Sequence, residues 1–298
     1  GDKDLYRKSV QEELKLYEDA AAEYPRNVAV QSGMGNALLS QAQQMIEAGT
    51  YAEAFSRLDR AKQIFTGLSQ SNPYRLSFKK GLASTYLALG MLHSRMGELD
   101  ESNRRALDNE ALDDFENQLK LAEELAALDS ENAEYTFLQC RTMSLMVDIL
   151  LRTKRVNKAE AYCQTILQKT EALLATAPDN ADYAVLKAGA LRSLAMAHGN
   201  SNFGEEQAAS EFQESRSILE RLLSQAPGNL SMRFLYMEVL EESARHAAAS
   251  GDVRRARRWI ELAIVIVEVL STENPQNKML RTRLESLRKL LDEVGGAN

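Results

Sequence analysis

Apolar and polar positions alternate along the chain with the period of an α-helix. Leu38, Ala42 and Met45 follow one another at intervals of four and three residues, so they share one helical face. Phe55 and Leu58 belong to a similar face further along the chain. The alternation of Val, Ile and Thr that is typical of strands is absent. The pattern predicts an all-α protein with helices of about 20 residues, or roughly 30 Å.

All five prolines lie between predicted helices, and they recur with a fixed period. Ser130, in the similar phrase DSEN, holds a sixth slot. The slots are separated by 48, 57, 48, 49 and 48 residues, which is the signature of a stacked helical repeat. The slots are Pro25, Pro73, Ser130, Pro178, Pro227 and Pro275.

Other residue types keep the same phase relative to these slots. Nineteen residues before each slot from Pro73 onward is an alanine, and five residues before it is a leucine. We expect a helix breaker, a residue at which a helix ends, to divide each unit into two helices. Gly and Asn suit this position because they tolerate the left-handed backbone that ends a helix. The alanines are Ala54, Ala111, Ala159, Ala208 and Ala256, the leucines Leu68, Leu125, Leu173, Leu222 and Leu270, and the breakers Gly49, Gly97, Lys154, Asn202 and Gly251.

The 57-residue interval contains nine additional residues. Ala111 and Leu125 keep their phase relative to Ser130, so the addition lies upstream of Ala111, near residues 98–106. We expect a longer helix–helix connection or an added turn at the edge of the array. Such insertions often lie on a functional face, but neutral length variation is the favoured interpretation.

Two segments resemble the tetratricopeptide repeat (TPR). Tyr86–His93, which reads YLALGMLH, is similar to the W-x-x-L-G-x-x-Y pattern of the first TPR helix. Gly49–Ala54, followed by Ala61, begins a second helix as a TPR does. The chain thus resembles a long-helix variant of the TPR superfamily, with a unit of about 48 residues instead of 34, as in bacterial multidomain signalling proteins.

The resemblance implies an all-α, right-handed α-solenoid, a TPR-like superhelix of antiparallel helix hairpins with a C-terminal capping helix. Because the array starts within a unit, we expect a further domain or a membrane anchor before Asp2. The location is expected to be cytoplasmic, or extracytoplasmic if an anchor or signal was removed. One repeat domain is predicted over 1–298, with a half-unit at 2–24, units at about 25–72, 73–129, 130–177, 178–226 and 227–274, and a cap at 275–294.

Charge and motifs favour a binding protein over an enzyme. The net charge of −7 argues against a broad nucleic-acid-binding face and against attraction to anionic membranes. The sequence contains no phosphate-binding loop, HExxH or GxSxG motif. Gly33 and Gly35 are interpreted as close helix contacts and not as part of a dinucleotide loop. We expect no catalytic residue, no metal and no cofactor.

We expect the histidines and cysteines to have no metal-binding or catalytic role. His93 and His198 hold equivalent places in units two apart, so they cannot share a metal and are predicted to be half-buried packing residues. His246 is expected on the surface. Cys140 and Cys163 lie about six residues out of register across their hairpin, or roughly 9 Å, which is too far for a disulfide. Two free, mostly buried thiols are predicted, and they fit a reducing compartment.

One basic run, Arg254–Arg258, stands near the start of a predicted helix. The favoured interpretation is a solvated face neutralised by Glu241, Glu242 and Asp252, and the alternative is contact with phosphates or an acidic partner.

The concave groove of a solenoid is the default surface for a partner. The sequence therefore predicts a non-catalytic protein–protein interaction scaffold for a protein or peptide, with Arg side chains paired to acidic groups and no nucleic acid. The alternative is an effector or sensor domain of a kinase-linked or nucleic-acid-linked regulator. The TPR register directs these first-helix residues into the groove: Asn36, Gln43, Ser84, Arg95, Arg141, Asp148, Arg152, Arg192, Glu238, Glu241 and Arg245.

Overall fold

A computed structural model describes residues 2–199, 204–273, 275 and 277–295 of the chain. Throughout these ranges the regular elements are α-helices, so the prediction of an all-α repeat is confirmed. The right-handed superhelix stays a prediction. In chain order the helices are α1 (Asp2–Glu23), α2 (Val28–Ala48), α3 (Tyr51–Ser71), α4 (Leu76–Leu99), α5 (Arg104–Leu128), α6 (Ala133–Arg152), α7 (Val156–Thr176), α8 (Ala181–Gly199), α9 (Glu205–Gln225), α10 (Leu230–Ala249), α11 (Val253–Glu273) and α12 (Lys278–Gly295).

The helices form two compact bodies, Gly1–Ile149 and Leu150–Asn298, called the N-terminal and C-terminal bodies below. In the N-terminal body, α2 packs against α3 and α4 against α5, while α1 covers α2. In the C-terminal body, α8 packs against α9 and α10 against α11, with α7 on α8 and α12 on α11. Within each body, helices that are adjacent in sequence therefore form antiparallel hairpins, as a helical repeat requires.

The two phase-locked columns form much of the buried core. All five alanines of the first column are 0% exposed, and the five leucines of the second are at most 6% exposed. Burying a leucine side chain contributes about 1.5–3 kcal/mol, and an alanine in the facing position lets the neighbouring helix approach closely. In the hairpins, the leucine column thus supplies buried apolar surface, and the alanine column supplies the space that close helix packing needs.

Several glycines of the first helices are contact points for aromatic rings. A Cβ on Gly35 would lie 2.7 Å from the Phe65 ring, and Gly81 faces the same ring. A Cβ on Gly90 would lie 2.6 Å from Phe115. Gly33 meets Tyr17 in the same way, so the interpretation of Gly33 and Gly35 as close helix contacts is confirmed.

The predicted breakers are confirmed at three positions. Gly49 and Gly251 end their helices with φ of 80° and 82°, and Lys154 adopts φ of 60° at the equivalent place. The prediction for Gly97 is wrong, because α4 continues to Leu99 and Gly97 is buried within it. Leu107 lies 3.4 Å from the position of a Cβ on Gly97, so this glycine allows α5 to approach. Asn202 lies outside the described residues.

The nine additional residues mostly lengthen helices. Compared with α2 and α3, α4 gains three residues and α5 gains four, and the connection grows from two residues to four. Both predicted alternatives, a longer connection and an added turn, therefore occur: the connection gains two residues and each helix gains about one turn. Asp100 closes this connection by accepting hydrogen bonds from Ser102 and Asn103, which hold the pKa of its carboxyl at about 2.

Candidate functional site

The first helices of successive hairpins, α2, α4 and α6, enclose a groove of about 630 Å³ in the N-terminal body. We call it the first-helix groove. Its lining residues come from three helices, so an occupant would contact several repeat units at once. It is lined by Gln43, Ile46, Glu47, Lys80, Ser84, Leu87, Ala88, Met91, Glu134, Tyr135, Phe137, Leu138 and Arg141.

The groove combines apolar walls with a few placed charges. Met91 is 46% exposed although it lies between buried neighbours in α4. Lys80 is 3.3 Å from Glu134 and its ammonium lies 4.9 Å from the centre of the Tyr135 ring. A hydrogen bond with Tyr135 and the interaction with Glu134 raise the pKa of Lys80. The Lys80 charge is therefore balanced within the groove wall.

Three of the residues predicted for the groove, Gln43, Ser84 and Arg141, line it and are exposed. Arg141 has no ion pair within the described part of the chain, although Glu47 and Glu134 also line the groove. The remaining predicted residues of this body, Asn36, Arg95 and Asp148, are exposed on the same helices outside the lining. Arg95 bonds Glu98 at 2.6 Å.

Two of the predicted arginines of the C-terminal body, Arg192 and Arg245, lie in ion pairs. Arg192 of α8 is 2.6 Å from Glu238 of α10. Glu241, which is 6% exposed at its side chain, binds both Arg245 at 2.9 Å and Arg283 of α12 at 2.8 Å. These charges are balanced between neighbouring first helices, in contrast to Arg141.

Two further charged residues of the C-terminal body, Glu242 and Arg152, lie on α10 and α6. Burial, together with the neighbouring Glu241, raises the pKa of the Glu242 carboxyl. Arg152 is exposed in the last turn of α6.

His93 and His198 are half-buried, as predicted, and each contacts a carboxylate of the second helix. His93 Nδ1 lies 2.8 Å from Asp114, and its ring packs 5.7 Å from Phe55. His198 Nδ1 lies 2.9 Å from Glu211. Sequence reasoning missed these two acids, although both precede their proline slot by sixteen residues and so share one repeat position. That common phase is the signal that could have found them.

The third histidine and the two cysteines are all at least partly buried. His246 is half-buried against the Phe212 ring at 5.8 Å, so the prediction of a plain surface residue is wrong. Cys140 and Cys163 are buried and form no disulfide, as predicted. Among the described residues, no group of His, Cys, Asp and Glu side chains is arranged to hold a metal ion. The described helices also include none with the length and hydropathy of a membrane span.

The basic run is neutralised by only one of its predicted partners. Asp252 is 3.3 Å from Arg255 and also accepts the Arg255 backbone N–H. The prediction for Glu241 is wrong, because its carboxylate is bound by Arg245 and Arg283.

Comparison with known proteins identifies the fold. No protein-family model and no curated protein sequence matches the chain. The crystal structure of BtubC (BKLC) from P. vanneervenii matches 91% of this chain and 93% of its own, at 14% identity and a TM-score of 0.60. TTC0263, a thermophilic TPR protein of Thermus thermophilus, matches 83% of this chain and 98% of its own, at 14% identity and a TM-score of 0.39. The hairpin architecture and the likeness to BtubC show an all-α helical-repeat fold.

Proposed function

We propose that this TPR-like chain is a non-catalytic protein-interaction scaffold that binds a segment of a partner protein in the first-helix groove. The observation that carries the proposal is the groove itself, which spans three first helices and presents apolar walls beside an unpaired arginine. Clefts that combine apolar walls with a few placed polar groups are typical of binding sites.

The lining indicates the chemistry of the bound segment. Met91, Phe137 and Leu138 offer apolar contact area to side chains of an extended peptide. Gln43 and Ser84 can exchange hydrogen bonds with the peptide backbone. The guanidinium of Arg141 suits a carboxylate, because arginine binds carboxylates in a bidentate geometry. We therefore propose an extended segment with apolar residues and at least one acidic residue.

Affinity capture with the tagged chain tests this proposal once the captured partner has been identified. Arg141→Glu should weaken binding of that purified partner by about tenfold or more, because it places a negative charge against the acidic residue. The matched control is Arg95→Glu, which changes the same charge on an exposed first-helix residue outside the lining. Equal affinities for Arg141→Glu and the wild type would show that the groove is not the binding site.

A charge exchange makes the test specific. If an acidic residue of the partner faces Arg141, its replacement by arginine should restore binding to the Arg141→Glu variant and not to the wild type. The effector or sensor role in a kinase-linked or nucleic-acid-linked regulator stays a prediction.

A further inference from the structure

One face of α11 presents a continuous row of exposed side chains that begins with two arginines and ends with three apolar residues. The row is Arg254, Arg258, Leu262, Val265 and Val269, spaced at four, four, three and four residues, and we call it the α11 stripe. Leu262, Val265 and Val269 are 41%, 55% and 42% exposed. Residues at this spacing lie on one side of a helix. The stripe therefore leaves an apolar strip in contact with solvent.

The other second helices carry no large apolar residue at these repeat positions. The positions lie 21, 17, 13, 10 and 6 residues before the slot that follows each helix. Four other units have polar or small residues at these positions. The apolar strip of α11 is therefore a departure from the repeat and requires a specific explanation. The equivalents are Ala52, Ser56, Arg60, Gln63 and Gly67 in α3, Asn109, Asp113, Asn117, Lys120 and Glu124 in α5, Asn157, Ala161, Thr165, Gln168 and Ala172 in α7, and Glu206, Ser210, Glu214, Ser217 and Arg221 in α9.

The apolar end of the stripe borders a shallow groove of about 260 Å³. Leu223 and Pro227 form its far side, Tyr236 of α10 forms its floor, and Val265 and Val269 form its near side. Such a groove suits the apolar face of an amphipathic helix, whose anchoring residues recur at three- and four-residue intervals.

The two positive charges at the basic end of the stripe are not balanced by ion pairs within the described part of the chain. Neither Arg254 nor Arg258 forms an ion pair with any residue that the structure describes, whereas Arg255 is paired with Asp252 at 3.3 Å. Cations in the first turn of a helix oppose its dipole, so the charge of Arg254 is unfavourable for α11 taken alone. A partner with acidic groups at this end would remove that disadvantage.

We propose that the α11 stripe binds an amphipathic α-helix of another protein. The apolar face of that helix covers Leu262, Val265 and Val269, and acidic residues at one of its ends meet Arg254 and Arg258. This surface belongs to the second helices of the C-terminal body, so it is separate from the first-helix groove, and the proposal does not depend on the function proposed above.

The surroundings favour such a helix over a membrane or a second copy of the chain. Glu261 is exposed on α11 beside the apolar strip, and an anionic lipid surface would repel it. If two α11 helices paired antiparallel about the centre of the apolar strip Leu262–Val269, Arg258 would face Glu273. Both carboxylate oxygens of Glu273 are already bound by Arg233, at 3.1 and 3.0 Å, so the arginines would stay uncompensated.

Two synthetic helical peptides of about 18 residues test the proposal, since the stripe is roughly 24 Å long. Both carry leucines at i, i+4 and i+7, and one ends in glutamates while the other ends in lysines. Fluorescence anisotropy with the full chain should show the glutamate peptide binding about tenfold more tightly than the lysine peptide. Absence of binding, or equal binding of the two peptides, would overturn the proposal without reference to any variant.

Variants that borrow residues from the same positions in other units give a second measurement. Val265→Gln uses the residue present in α3 and α7, and Arg258→Ser uses the one present in α3 and α9, so both suit an exposed helix position. Each variant should weaken binding of the glutamate peptide by about tenfold. Lys120→Gln in α5, the control, should leave binding of this peptide unchanged.

Two other outcomes would assign the stripe differently and overturn the proposal. The first is a concentration-dependent dimer in sedimentation velocity that Val265→Gln abolishes. The second is co-sedimentation with phosphatidylserine vesicles that Val265→Gln abolishes.

Discussion

At the scale of single residues, the absence of a side chain is what brings paired helices together. Phe65 lies between Gly35 of α2 and Gly81 of α4, and Phe115 lies against Gly90. Each ring occupies the volume that a Cβ would need. Protein interiors are packed at the density of organic crystals, so a single methyl group at such a position forces a rearrangement.

Gly90→Ala should lower the free energy of unfolding by about 1–3 kcal/mol, because the new methyl group would overlap the Phe115 ring. Gly67→Ala is the matched control, since nothing lies within 4 Å of a Cβ at that helical position. It should raise stability by up to about 1 kcal/mol through its better helix propensity. Urea unfolding followed by circular dichroism measures both, and a neutral Gly90→Ala would contradict the close contact.

The sequence predicted that His93 and His198 are half-buried but not what they contact. His93 and His198 were recognisable because they replace the tyrosine of a repeat pattern. Their partners, Asp114 and Glu211, lie on the following helix, and a pairing across two helices depends on the azimuth of each helix, which residue spacing within one helix does not determine. For the same reason, the exposure of Arg141 was predictable, whereas the pairing of Arg192 with Glu238 was not.

At the scale of helices, the chain ends several of its first helices with a residue in the left-handed conformation. Glycine has this role at Gly49 and Gly251, and Lys154 has it after α6. A residue with a Cβ loses about 1–2 kcal/mol in this conformation. The pattern of breakers was therefore readable from the sequence, except at Gly97, where a glycine permits close helix packing instead.

Replacing Lys154 with glycine should stabilise the chain by about 0.5–1 kcal/mol, because glycine adopts a positive φ without steric cost. Gly49→Ala, the reverse change at the equivalent position, should destabilise it by a similar amount. Thermal melts of both variants and the wild type provide the comparison. A lower melting temperature for Lys154→Gly would mean that the lysine side chain has a stabilising role at this turn.

At the scale of the whole molecule, the repeat period predicted the order and type of the helices but not the division at Ile149 and Leu150. Periodicity describes what neighbouring units share. A boundary between compact bodies depends on the sum of many small differences in packing, and no single residue marks it.

A fragment of residues 1–155, which ends after α6, should fold by itself into a helical body. It retains the helices α1 to α6 and the buried cluster around Phe65 and Leu89, and a few stacked units suffice for a helical repeat to be stable. Circular dichroism and urea unfolding should show a cooperative transition. A fragment that lacks cooperative unfolding would instead support a single domain over the full chain.

The lengthened α4–α5 hairpin indicates where the chain can accept foreign sequence. Its additional residues extend both helices and the connection 100–103, while Ala111, Phe115 and Leu125 remain in the core. A change in length at a hairpin tip thus leaves the register of the buried columns unchanged. An epitope tag or a fluorophore-labelling sequence inserted at such a tip can report on this protein without disturbing its packing.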